Sequence, residues 1–82
     1  MTFRVREVVW IHGIEHTNSV LTPLFRSRVA AADYIKTLQQ VFQAKGFDRG
    51  RQVWWARKIN ETPIHRWSIE ELANVQPRDE RL

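Results

Sequence analysis

The sequence predicts an α+β fold, in which a four-stranded sheet in ββαββ order carries one long helix packed on one face. Two observations support this class. Segments rich in Val, Ile and Trp alternate with period two near both ends of the chain, and a single amphipathic segment with helical period lies between them. Residues 1–72 are expected to form one compact domain. Residues 73–82 are expected to be a flexible tail, because the apolar density falls after Leu72.

The first two predicted strands form a hairpin. Residues 3–12 alternate with period two and carry apolar side chains on both faces, which predicts the first strand. Residues 13–18 are predicted as the turn and residues 19–25 as the second strand. Pro23 has no N–H to donate to a ladder, so the second strand is placed at an edge of the sheet.

The predicted helix begins after Ser27, which is a favourable N-cap residue. It is expected to run for about 18 residues and to end at Gly46, with Phe47 packing back on Phe42 as in a Schellman motif. The residues of its apolar stripe recur at helical spacing: Ala31, Tyr34, Ile35, Leu38, Val41 and Phe42.

Residues 53–59 and 64–69 are predicted to pair as a second hairpin, connected by the turn-forming residues 60–63. If Ile59 faces Ile64, Arg57 lies directly opposite Arg66. Trp54, Ala56, Trp67 and Ile69 then share the face under the helix, and Val53, Trp55, Arg57, Ile59, Ile64 and Arg66 share the other. A register shift of one residue would exchange the two sets, and this alternative stays open.

The favoured strand order is 2-1-3-4, because a right-handed crossover through the helix brings the third strand parallel to the second with the first between them. The order 2-1-4-3 satisfies the same two hairpins. The sheet is therefore expected to be antiparallel or mixed.

Composition narrows the function classes. The chain has 82 residues, no cysteine and a net charge of +4, and ten of its thirteen basic residues are Arg. The basic balance favours acidic partners such as nucleic acid, although genome composition accounts for it equally well. The N-terminus lacks the apolar region of a signal peptide and no stretch is long enough to span a membrane, so a cytoplasmic location without membrane contact is expected.

No motif identifies a reaction, a family, a metal site or a cofactor. His12 and His16 have the spacing of helical metal ligands, but Gly13 places them in a turn, and a site would need a distant third ligand such as His65. Glu7 falls on an apolar side of the first strand, which fits either a desolvated carboxylate with a raised pKa or a residue at the sheet margin. We expect a protein without catalytic residues, metal or cofactor.

The uncovered sheet face is the candidate binding site, because large apolar patches on soluble proteins usually contact a partner. Its expected binding residues are Trp10, Trp55, Arg57 and Arg66. Trp and Arg are enriched at the centres of protein interfaces, which predicts a small binding module that self-associates or joins a protein complex. The alternative is a single-stranded nucleic-acid-binding protein that stacks bases on the same tryptophans.

Overall fold

Five strands and one helix form the domain in ββαβββ order. The computed structural model describes residues 1–72, in which every paired strand is antiparallel and the sheet order is β2-β1-β5-β4-β3. The elements are β1 (Thr2–Ile11), β2 (Ile14–Phe25), α1 (Arg28–Gln39), β3 (Ala44–Asp48), β4 (Val53–Arg57) and β5 (Ile64–Leu72).

The predicted α+β class, with a four-stranded ββαββ sheet under one long helix, is wrong. The sheet has five strands, the structure is mostly β, and α1 is short, with 12 residues. The favoured strand order is also wrong, because β5 lies between β1 and β4. For the four predicted strands this is the order 2-1-4-3, which the hairpins had left open.

The missed strand is β3, whose residues were assigned to the end of the helix. The helix ends at Gln39, and Gly46 and Phe47 pair with Trp55 and Trp54 of β4 instead of closing a helical cap. A helix that continued to Gly46 would remove residues 44–48 from the sheet and leave the outer backbone groups of β4 without a partner strand. Pairing also brings the Phe47 and Trp54 rings to a centroid distance of 4.5 Å.

The β1–β2 turn is shorter than predicted. Ile11 pairs with Ile14, and the two residues between them, His12 and Gly13, have φ angles of 52° and 76°. Positive φ at both positions is typical of the two-residue turns that match the twist of a hairpin. Residues 14–18 therefore belong to β2. Pro23 lies on an edge strand, as its missing N–H predicts.

The core lies between α1 and one face of the sheet. Ser27 Oγ accepts a hydrogen bond of 3.1 Å from Ala30 N and so caps the helix. Ala31 and Ile35 face the sheet one helical turn apart and pack with the buried side chains of all three central strands. The fully or nearly buried hydrophobic residues are Phe3, Val5, Ala31, Ile35, Ala56 and Trp67.

The last residue of α1 connects the helix to the outer hairpin. Gln39 is only 6% exposed, and its Nε2 donates to Gly46 O at 3.1 Å and to Trp55 O at 2.9 Å. One buried amide therefore contacts the backbones of both β3 and β4. A buried donor satisfied in this way is costly to remove, because the carbonyls lose their partner.

The predicted flexible tail, residues 73–82, lies outside the described residues. In residues 1–72, no helix combines the length and the apolar character needed to cross a membrane.

We predict that Gln39→Leu lowers the free energy of unfolding by about 1–3 kcal/mol, since it leaves two backbone carbonyls without the amide. Amide hydrogen exchange should accelerate most in β3 and β4. The control is Gln40→Leu, because Gln40 is the exposed neighbouring residue. Equal effects of the two substitutions would show that the amide does not stabilise the outer hairpin.

Candidate binding site on the uncovered sheet face

The β4–β5 register decides which side chains reach the sheet face that α1 leaves uncovered, called here the open face. Trp54 pairs with Trp67, and Trp55 pairs with Arg66, so the predicted pairing of Arg57 with Arg66 is wrong. The true register differs from the predicted one by two residues. Because the shift is even, Trp54 still faces the helix and Trp55 still lies on the open face.

A cleft of about 260 Å³ opens on this face. The structure brings Trp55, Arg57 and Arg66 together in its wall, and Trp10 lies outside it. The residues that line the cleft are Asp48, Arg51, Val53, Trp55, Arg57, Ile64 and Arg66. It is therefore a concave surface with an aromatic and aliphatic base and several cationic groups.

The position of the Trp55 indole depends on Gly46, its cross-strand partner in β3. A Cβ atom at residue 46 would lie 2.9 Å from Nε1 and 3.0 Å from both Cε2 and Cζ2 of the indole. The ring thus lies directly over the glycine backbone, where no larger residue fits without displacing it. The indole of the neighbouring strand thus covers the patch of sheet that the glycine, which has no side chain, leaves bare.

We predict that Gly46→Ala displaces the Trp55 ring and costs about 1–2 kcal/mol of stability through overpacking. The indole N–H resonance of Trp55 should shift in NMR spectra. Gly50→Ala is the control, because the nearest atom to its added Cβ would be Asp48 Oδ1 at an ordinary 3.5 Å. An unchanged Trp55 resonance in Gly46→Ala would contradict the close packing.

Trp10 joins the cleft indirectly, through Arg66. The Arg66 guanidinium carbon lies 5.3 Å from the centroid of the Trp10 ring, within the range of a cation–π contact. Trp10 also borders a shallower depression that shares Val53 and Arg66 with the cleft. The two tryptophans are thus parts of one continuous surface, with Arg66 between them.

The cleft carries excess positive charge. Arg51 Nε lies 4.0 Å from Asp48 Oδ2, so one of the three arginines has a weak ionic partner. Among residues 1–72, neither Arg57 nor Arg66 forms a salt bridge. Cations placed around a concave apolar base attract a ligand with negative charge.

A second group of arginines on the open face is partly neutralised by one carboxylate. Glu70 accepts from Arg4 Nε at 2.8 Å and from Arg6 Nε at 2.6 Å, and Arg6 also donates to Asn18 Oδ1 at 2.7 Å. The hydrogen bonds from Arg6 and then Arg4 hold the pKa of the Glu70 carboxyl below its usual value. Arg4, Arg6 and Glu70 together keep one net positive charge, whereas the three arginines and Asp48 of the cleft keep two.

We predict that Glu70 makes stability depend on pH in the acidic range. Its pKa is lower in the folded than in the unfolded state, so its contribution is present above about pH 4.3 and is lost as the pH falls through the folded value. Glu70→Gln should lower the Tm at pH 7 and leave it nearly unchanged at pH 2. Glu71→Gln is the control, since Glu71 lies 3.8 Å from Arg28 in a more exposed pair. A Glu70→Gln difference that persists undiminished at pH 2 would contradict this account.

Glu7 has a structural partner on the helix side of the sheet. Its Oε2 accepts a hydrogen bond of 2.9 Å from Nε1 of the buried Trp67, and His65 Nδ1 lies 3.6 Å from the same oxygen. The Phe42 ring packs on His65 at a centroid distance of 4.9 Å. The carboxylate thus satisfies the N–H of a buried indole, which is a sufficient reason for a charged residue at this position.

The histidines do not gather into a ligand set. His12 lies in the β1–β2 turn, His16 in β2 and His65 beside Glu7. Among the residues that the structure describes, no group of three or more His, Cys, Asp or Glu is placed to hold a metal ion.

Sequence reasoning missed Asp48, Arg51 and Gly46 as parts of the site, because it assigned β3 to the helix. One signal was present. Asp48, Arg49 and Gly50 are turn formers between two short segments, which is the pattern of a hairpin. The alternation in residues 44–48 is weak, since Phe47 is its only large apolar residue.

Compared with protein-family models, with curated proteins and with solved structures, the chain matches none of them.

Proposed function

We propose that the protein is a small non-enzymatic binding module that contacts another protein through the open face. The observation that carries this proposal is the cleft in which Trp55 lies among Arg51, Arg57 and Arg66. Trp and Arg are the residue types most often found at the energetic centres of protein interfaces. A rigid sheet supplies these side chains without ordering a loop, which keeps the entropic cost of binding low.

The charge of the cleft favours a partner with acidic side chains over a second copy of this chain. In a two-fold symmetric contact the same patch lies on both subunits, so three arginines would face three arginines. Carboxylates on a different protein would instead pair with Arg57 and Arg66. Membership of a protein complex is thus the favoured form of the proposal over self-association through this face.

Single-stranded nucleic acid is the second candidate. The observation in its favour is the close packing of the Trp55 indole over Gly46, beside arginines that could contact phosphates. Stacking of a base on such a ring contributes about 1–3 kcal/mol. A cytoplasmic location suits either partner and a chain without cysteine.

We predict that polyglutamate changes the tryptophan fluorescence of the protein in a saturable way, and that Arg57→Glu weakens this binding about tenfold. Lys36→Glu is the matched control, because it makes the same charge change on an exposed residue of α1. The substitution at Arg57 should therefore weaken polyglutamate binding much more than the substitution at Lys36. Equal weakening by both substitutions would indicate attraction to net charge alone and would contradict a site at the cleft.

The same titration separates the two candidates. An oligothymidylate that quenches the fluorescence more strongly than polyglutamate, and loses that effect when its bases are replaced by abasic sites, would establish the nucleic-acid alternative. The loss of quenching in Trp55→Phe would place the base on that ring. A response to neither polymer at low salt would overturn both candidates.

A further inference from the structure

The outer edge of β3 is bordered by a binding surface on each face of the sheet. β3 is the last strand in the sheet order, and within residues 1–72 no strand pairs with its outer edge. The cleft adjoins it on the open face, through Asp48 and Trp55. On the opposite face, a groove of about 620 Å³ adjoins it through Phe47.

The open-face side chains of β4 are accessible from this edge because β3 places very small residues beside them. Gly46 pairs with Trp55, and Ala44 pairs with Arg57. The Trp55 indole extends over Gly46 toward the edge. A strand added outside β3 would therefore meet Trp55 and Arg57 directly, although they belong to the second strand inward.

The helix-side groove presents an apolar contact at the same edge. The Phe47 ring contacts the Trp54 ring in a tilted arrangement with a centroid distance of 4.5 Å, and Phe47 is 41% exposed. Val29 and Ala32 of α1 form the opposite wall. The groove lies between the first turns of α1 and the sheet, and Trp54 of β4 and Ile69 of β5 also line it. An apolar side chain that enters it removes Phe47 from water.

The other edge of the sheet is less suited to pairing. β2 contains Pro23, and its pairing with β1 is interrupted by irregularities between Arg4 and Arg6 and between Val9 and Trp10. Proline and bulges are features by which proteins block the addition of a strand at an edge. The pairing of β3 with β4 is continuous over five residue pairs.

We propose that the edge of β3 receives an extended segment of a protein partner as a sixth strand, with acidic side chains on the open face and apolar side chains on the helix side. This inference rests on the proposed function and names the partner's chemistry. Residues opposite Ala44 and Gly46 place carboxylates beside Arg57, and the residue opposite Phe47 enters the groove. Backbone hydrogen bonds supply affinity and the two faces supply selectivity, as in other cases of strand addition.

The test uses synthetic peptides of about seven residues, long enough to span β3. In the first peptide Glu and Leu alternate, so one face of the extended peptide is acidic and the other is apolar. In the second peptide the same residues occur in pairs, so each face carries both Glu and Leu. Binding to the ¹⁵N-labelled protein is followed by NMR. The alternating peptide should shift the amides of residues 44–48 most, slow their hydrogen exchange and bind about tenfold more tightly than the second peptide.

Two further peptides test the backbone pairing. Replacing the central Leu and the following Glu by Pro should abolish binding, because successive N–H groups of a strand point to opposite edges and one of the two prolines therefore removes a hydrogen bond to β3, whereas Ala at both positions should retain measurable binding. On the protein, Phe47→Ala should weaken binding about tenfold. Val20→Ala is the control, since Val20 is a 39% exposed apolar residue on the opposite edge strand.

The outcomes distinguish this inference from the proposed function. Binding of the acidic peptides that perturbs Trp55 and Arg57 but not the amides of residues 44–48 would overturn strand addition and leave the open face as the binding site. Equal binding of the alternating and paired peptides would also overturn it. Failure of every acidic probe, including polyglutamate, would overturn the proposed function as well.

Discussion

The burial of Trp67 in the central strand β5 is the constraint on which both faces of the sheet depend. The indole is 1% exposed, donates to Glu7 of β1 and lies opposite Trp54 of β4. Turning β5 over by one residue would move its largest buried side chain into water, at a cost of roughly 3 kcal/mol. Because side chains alternate along a strand, an inward Trp67 requires an outward Arg66, and cross-strand pairing then places Trp55 beside it. The core and the candidate site are two consequences of one strand orientation.

The length of α1 decides how much of the sheet is covered and how the outer hairpin is attached. The helix ends at Gln39, and the amide of this residue contacts the backbones of β3 and β4. The same hairpin supplies Gly46 beneath the Trp55 ring and Asp48 and Arg51 at the end of the cleft. The candidate site therefore depends on a strand outside the main core. Within residues 1–72 the outer edge of β3 is exposed because no strand pairs with it, and the cleft is exposed because it lies on the face opposite the helix.

The positions of the charged side chains on the open face matter more for binding than their total charge. Glu70 lies between Arg4 and Arg6 and neutralises one of their two positive charges near the start of β1. At the cleft, one carboxylate, that of Asp48, accompanies the three guanidinium groups of Arg51, Arg57 and Arg66. Exposed ion pairs contribute little stability, but they determine where an approaching anion encounters uncompensated charge. This distribution, rather than the net charge of the chain, is what favours an acidic ligand at the cleft.

The sequence by itself determined the alternation of β1, β4 and β5 and the capped start of α1, and it favoured the face on which Trp10, Trp55, Arg57 and Arg66 lie without excluding the opposite one. These features follow from short-range periodicity and from the large difference in free energy between burying and exposing aromatic side chains. Only the tertiary structure decided the end of the helix, the existence of β3, the order of the strands and the register of β4 against β5. Residues 44–48 have one large apolar side chain, so their strand conformation is stabilised by backbone pairing with β4 and by Gln39, two partners distant in the chain. The part of the site that depends on Gly46 could not be predicted from the sequence. Glycine is required there because the Trp55 ring lies over it, and only the pairing of β3 with β4 brings the two residues together.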